Sequence, residues 1–510
     1  MPWFKSKWIL SLVLAVVVIY TTCFFAGSSS AIAATENSQI PPTNKLTLAQ
    51  FKTGRFPDFG CPPPQELDTA TNPKGKPLGV PDFCNPVSDP EQPIYDGELF
   101  KLSQDYPKKL PDYSEMDKFF QNYPQRFQSN STTTNPEEQD WYKYMIAVRD
   151  YSFDGNLDID WRVEKNQKRA WYHMPWMHYG TPASDGIHGL IQEAPLQAGQ
   201  LGPDHKNQYT AYAASFYNDF GGYHIGNVWK DAENPNPSAD DSTFPRGTVI
   251  TKLLFTDAPV SEVPYLKGTV EWDAYVAPSK ADPQPRRKIT TVRLIQMDIM
   301  LRDPLAPTGW SFGTFVYNSA LGNQNPWYKL QPVGLQWGDD PNVTDDLYNP
   351  TPTETKTNPN IKETVINISA TPALPPQHLG WGFRLSGPVD NAKSSCMSCH
   401  STAQYPVIQP LAPAFIKPKP PKPGSPEWMK FFRNLNAGEP FDSRSISTDF
   451  SLLLNSSINN YYQWKNDNIQ GFYVQEFPGG GQVKTYSIHR QLLEPREEVE
   501  ARLMRAKANQ

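Results

Sequence analysis

The sequence predicts a β-rich α+β fold: mainly an antiparallel sheet or sandwich, with peripheral helices and long Pro-rich loops. Three observations lead there. Between residues 158 and 368, short runs of β-branched and aromatic residues alternate with turn residues. Pro makes up 52 of 510 residues, about twice the usual share, which favours short elements over a helical bundle. Helical spacing of apolar residues is confined to the flanks of that region. Hydrophobic residues are only 38% of the chain, but aromatics are 13%, and large rings supply the area that a core needs.

The first segment reads as an address. Lys5 and Lys7 precede an apolar run from Ile9 to Tyr20, and Ala31-Ile32-Ala33 fits a small-residue cleavage pattern. A signal peptide over 1–33 is expected, with export to a periplasm or another extracytoplasmic lumen and no stable membrane span after cleavage. The alternative is an uncleaved anchor, which the interruption at Thr21-Thr22 disfavours.

Residues 34–150 form a second region. Its first part, to about residue 95, is polar and Pro-rich, and is expected to be an extended arm. Cys61 and Cys84 lie in it. In an oxidising compartment an even pair reads as a disulfide, the alternative being two unrelated free thiols. From Pro136 to Arg149 a helix is expected, because Trp141, Tyr144, Met145 and Val148 fall at helical spacing.

Residues 151–410 are expected to be the β-rich domain. Arg169–Tyr179 reads as a strand. Tyr209–Trp229 reads as two β-rich runs around Asn218-Asp219-Phe220-Gly221-Gly222, a hairpin signal. Further strands are expected at Thr248–Phe255, Val270–Val276, Ile289–Leu301 and Trp310–Tyr317, with weaker ones at Leu330–Trp337 and Thr364–Ile368. In Ile289–Leu301 the apolar positions slip register after Leu294, which predicts a β-bulge near Ile295-Gln296. Residues 411–510 begin with a Pro- and Lys-rich linker to Pro426. Helical segments are expected from Glu427, from Ser451 to Trp464, and from Pro495 toward Lys507.

One motif carries chemistry. Cys396-Met397-Ser398-Cys399-His400 is C-x-x-C-H, the attachment signature of a c-type haem. Two cysteines three apart sit on one side of a helical turn, so their sulfurs reach the two vinyl groups on one porphyrin edge. The next residue, His400, is carried under the ring as the iron's proximal ligand. One covalent haem c is expected. A zinc site and a redox dithiol are the alternatives. Zinc wants four ligands, and Cys61 and Cys84 lack the paired spacing. A dithiol of the thioredoxin type wants a βαβ setting that this pattern lacks.

The far side of the iron decides what such a haem does. A Met or His there makes an electron carrier, whereas an open position makes an enzyme or a gas binder. Met429, in PEWMKFF, is the downstream candidate, with His489 and Met504 behind it. His173, Met174, Met177 and His178 cluster beside Trp171 and Trp176, and His188 and His224 follow. Each reads first as a core or surface residue. Arg384, just before the motif, is a candidate polar distal group.

The order of these segments resembles the β-sheet cytochromes, which include the lysine-crosslinked hydroxylamine-oxidising haem proteins and the β-type cytochromes c-prime. The resemblance covers about 150 residues. It rests on Pro245-Arg246-Gly247-Thr248-Val249-Ile250, then Ile299–Asp303, then the Gly-Trp-x-Phe-Gly strand Gly309–Gly313, then C-x-x-C-H. It implies a sheet-held haem with scope for five-coordination. No lysine was matched to the crosslinking one, so hydroxylamine chemistry is not carried over. The text WGFRLSGPVDNAKSSCMSCH is similar to large exported bacterial monohaem proteins with no assigned reaction.

The expected activity is haem-dependent electron transfer with a redox partner protein. The alternative is a haem enzyme or gas-binding protein acting on peroxide or a small nitrogen oxide. A net charge of −6 without a basic stripe gives no support for nucleic-acid binding. The oligomeric state is not legible.

Overall fold

A computed structural model describes residues 98–468, apart from 99, 129–134, 178–184, 239–242, 277–287, 324, 345–357, 371–373, 380–383 and 391–393. The signal segment, the Cys61–Cys84 pair, His178, His489, Met504 and the helix expected at 495–507 lie outside the described residues.

Among the described residues the centre is an antiparallel sheet of nine strands: β1 (Trp171–Tyr172), β2 (Ile191–Leu196), β3 (Tyr209–Asn218), β4 (Val249–Thr256), β5 (Glu271–Val276), β6 (Lys288–Arg302), β7 (Trp310–Tyr317), β8 (Leu330–Gln336) and β9 (Thr364–Ile366). The main order is β1-β3-β4-β6-β7-β8-β9, with β2 added on β3 and β5 on β6. The fold is therefore β-rich α+β. The expected bulge is present: Leu254 faces Gln296 and Phe255 faces Leu294, which leaves Ile295 as the extra residue.

Alternation along the strands feeds two cores. Leu253, Ile299 and Phe315 join a large core with Trp141, Tyr144, Met145 and Val148 of helix α2 (Asp140–Phe153) and Met116 and Phe120 of α1 (Ser114–Asn122). The helical stripe read from the sequence is this contact. Gly313 admits it, because a Cβ there would lie 2.9 Å from Met145 Cε. Tyr217, Ile250, Met300 and Phe312, on the other face, join a second core with Met397, Phe431, Phe432, Leu454 and Ile458. The last two belong to helix α6 (Leu452–Asn468). The segment before it, expected as a linker, is partly buried at Leu411, Ala412 and Pro413.

Two expectations fail. Among its described residues, the run Arg169–Tyr179 keeps only the two residues of β1 as strand. The hairpin at 218–222 is instead the junction of β3 with helix α3 (Asp219–Val228). Asn218 caps that helix: its Oδ1 accepts from Gly221 N at 3.2 Å and Val249 N at 3.1 Å, and its Nδ2 donates to Gly247 O at 2.9 Å. Glycines that read as a turn serve close packing, since a Cβ on Gly222 would lie 2.4 Å from Tyr172 Cδ2. Gly222→Ala is therefore expected to destabilise the protein by about 1–3 kcal/mol through overpacking, measured by denaturant unfolding.

Candidate haem-attachment site

Cys396–His400 forms helix α4, a single turn. Ser395 caps it in a reciprocal box: Ser398 N donates to Ser395 Oγ at 3.0 Å, and Ser395 N donates to Ser398 Oγ at 2.8 Å. Three further bonds tie the turn to β8 and to the segments beyond it. Cys396 N donates to Leu385 O at 2.7 Å, Met397 N to Gln336 Oε1 of β8 at 3.1 Å, and Ser395 Oγ to Asp339 Oδ1 at 2.7 Å. Met397, between the cysteines, is buried in the second core, whereas Cys396, Cys399 and His400 stay partly open to water.

His400 Nδ1 lies 2.7 Å from Phe450 O. A carbonyl only accepts, so Nδ1 carries the proton and Nε2 presents its lone pair. Burial pushes the imidazole down to about 4, the Phe450 bond opposes this and Lys252 reinforces it. The ring is therefore neutral at neutral pH, as an iron ligand must be.

The Phe450 carbonyl is held by unusual backbone. Asp449 and Phe450 have φ of 47° and 61°, a region costly for a bulky residue. Asp449 secures the turn by accepting from Phe244 N at 2.7 Å, Gly438 N at 3.0 Å and Trp310 Nε1 at 3.0 Å. Strands β10 (Gln404–Tyr405) and β11 (Ile446–Ser447) pair just outside it, joining the chain leaving the motif to the chain entering the turn. The Gly-Trp-x-Phe-Gly strand thus has a local explanation. Trp310 pins Asp449, Phe312 packs 5.1 Å from the His400 ring, and Gly313 admits α2 from behind.

Cys396 and Cys399 are free thiols. Burial pushes Cys399 up to about 12 and Cys396 well above its usual range, with Asp390 adding to both. Redox-active and zinc-ligating cysteines need the opposite shift. Cys396, Cys399 and His400 are only half-shielded from water, yet dense protein around them desolvates their charged forms. A wall of a recess combines those two properties. Glu193, Lys252, Asp298 and Asp390 are half-shielded in the same way and interact electrostatically with the motif. Lys252 and Asp298 are cross-strand partners on β4 and β6, and Asp298 pairs with Thr314 on β7. The residues present fit a covalently held haem: two neutral thiols, one neutral imidazole with Nε2 presented, and a recess beside them.

The other described candidates have these surroundings. Met429 is half-buried on helix α5 (Pro426–Met429), against the second core. Arg384 donates to the carbonyls of Asp339, Asp340 and Val343 and lies over the Phe432 ring, which makes it a clamp for the loop after β8. His173 accepts from Ser103 N at 2.9 Å, and burial pushes it down to about 3. His188 stacks on Trp272 at 4.2 Å. His224 is buried against Phe244, and Met174 and Met177 are buried in the second core. The charged group Glu193, Lys252, Asp298 and Asp390 escaped sequence reasoning. Its only trace is a single charge inside otherwise apolar runs, as in TVITKLLF and IQMDIML. Among the described residues no group of three or more His, Cys, Asp or Glu is placed to hold a metal ion, and no helix is long and apolar enough to cross a membrane.

No protein-family model matches the chain, and no curated protein or solved structure matches it significantly.

Asp339 gives a test of the motif's support. Burial pushes its carboxyl up to about 7, against the pull of Ser395 and Arg384. A carboxyl raised on folding adds stability that is full below about 4 and lost as pH rises through 7. The wild type should therefore lose on the order of a few kcal/mol between pH 4 and 8 that Asp339→Asn does not lose, read from urea unfolding at each pH.

Proposed function

We propose that this chain is an exported monohaem c-type cytochrome with haem-dependent, electron-transfer activity. The observation that carries the reading is the His400 tautomer: Nδ1 is committed to Phe450 O, and Nε2 is presented beside two neutral thiols on the same helical turn. Cys396 and Cys399 would hold the haem through thioethers, and His400 would ligate its iron. Bound haem supplies a one-electron iron couple. The chain's own part is to fix the ligand's orientation through Asp449 and Phe450, and to seat the motif through Gln336, Asp339 and Ser395. Export to a periplasm or similar lumen, and a redox partner protein, belong to the same reading.

A second reading has one observation in its favour. The wall beside the motif carries the Lys252–Glu193 pair and Asp298, polar groups of the kind that an open sixth position uses on peroxide or a small nitrogen oxide. The likeness to sheet-held cytochromes points the same way.

The test is expression with c-type maturation machinery, followed by a pyridine haemochrome assay and ferric, ferrous and carbon monoxide spectra. One covalent haem per chain is expected, altered in Cys396→Ser and Cys399→Ser and lost from the double variant. Absence of covalent haem would overturn the proposal. Ferrous bands unmoved by carbon monoxide would favour the electron carrier, and shifted bands the enzyme or gas binder.

A further inference from the structure

The recess holds more ionisable groups than haem attachment needs. Gln296 and Asp298 are two apart on β6 and so share a face. Gln296 is fully buried, and its Nε2 donates to both oxygens of Asp298 at 2.9 and 3.0 Å and to Asp390 Oδ2 at 2.6 Å. Its Oε1 accepts from Val389 N at 3.3 Å, which fixes the end of the amide that meets the acids. One amide nitrogen therefore joins two carboxylates from separate segments, and their charges repel across a poorly solvated gap. Thr314 Oγ1 donates to Asp298 Oδ1 at 2.8 Å. Lys252 Nζ lies 3.1 Å from Glu193 Oε1. The titratable groups facing the pair are Glu193, Lys252, Cys396 and Cys399, with His400 beyond them. With both thiols and the imidazole neutral, three carboxylates meet one ammonium.

We propose that the Asp298–Gln296–Asp390 cluster is a proton-exchange site coupled to the redox state of the haem. The inference rests on the cytochrome reading. On one-electron reduction by an external donor, one proton from solvent binds the carboxylate pair, and oxidation releases it. The only bond formed or broken is a carboxyl O–H. An added electron makes the recess more negative, which raises the proton affinity of acids beside it. Burial already raises both acids, Asp390 to about 6; the Asp390 charge adds to the rise at Asp298 and the Glu193 charge to that at Asp390, while Lys252 pulls both down. The two acids titrate as a unit.

The sign follows. The reduced form holds the proton more tightly, so the reduction potential falls as pH rises. Potentiometric titration of the holoprotein from pH 5 to 9 should show a slope approaching 59 mV per unit, the one-electron equivalent of a tenfold change. Asp298→Asn and Asp390→Asn should each flatten it by at least half. Lys252→Met should move the sloping region to higher pH, an effect that mere structural damage would not mimic. A second readout needs no turnover: the infrared spectrum of the oxidised protein at pH 5, minus that of either Asn variant, should contain a protonated carboxyl band that fades by pH 8. A flat potential in the wild type, or a slope unchanged in both Asn variants, would overturn the inference and leave the cytochrome reading intact. Absence of covalent haem in the same preparation would overturn both.

Discussion

Strands β4 and β7 and the second half of β6 are covered on both faces, and that double burial governs what can be attached to them. Every residue of β7 is buried, and Lys252 is the one half-shielded position of β4. A charge taken out of water costs several kcal/mol unless it is paired or borders a cavity. Lys252 and Asp298 satisfy both conditions. They sit opposite each other in the ladder, have partners in Glu193, Gln296 and Thr314, and border the recess beside the Cys396–His400 turn. The apolar row beside them, Tyr217, Ile250, Met300 and Phe312, supplies the floor on which the motif is built. One face of one sheet thus provides a greasy seat and a charged wall two residues apart.

The motif itself is too short to hold its own geometry. A single helical turn has almost no internal hydrogen bonds, so its orientation must come from outside. It comes from two directions: Gln336 at the end of β8 and Asp339 in the loop after it bind the start of the turn, and the Thr448–Ser451 turn binds its last residue. The second grip requires left-handed backbone at Asp449 and Phe450, at a cost of about 1–3 kcal/mol for each residue. Hydrogen bonds to a buried carboxylate contribute about 1.5–3 kcal/mol each, and Asp449 accepts three. The strain is therefore affordable, and it aims a carbonyl at one nitrogen of His400.

Much of the fold was legible, and for local reasons. Strand texture located β4 to β9, the slip in apolar register located the bulge at Ile295, and the spacing of Trp141, Tyr144, Met145 and Val148 located α2. What failed was also local in form but tertiary in cause. Asn218-Asp219-Phe220-Gly221-Gly222 has the composition of a hairpin turn, yet Asn218 caps a helix because Gly247 O and Val249 N lie within its reach. The glycines are there because Tyr172 and Tyr217 crowd that helix. No pattern within five residues carries that information.

The sequence by itself determined the β-rich class, the register slip of the long strand and the one-turn spacing of Cys396, Cys399 and His400. Each is written in spacing between near neighbours, which the chain's own geometry converts into shape. Only the tertiary structure decided that Asp449 and Phe450 orient His400, that Arg384 clamps a loop, and that Glu193, Lys252, Asp298 and Asp390 meet at one wall. Those four charges are spread over almost two hundred residues. Their proximity is set by antiparallel pairing across β2, β3, β4 and β6 and by the loop that Gln296 holds against the sheet. A charge in an apolar strand announces that something must face it; only the folded sheet says what.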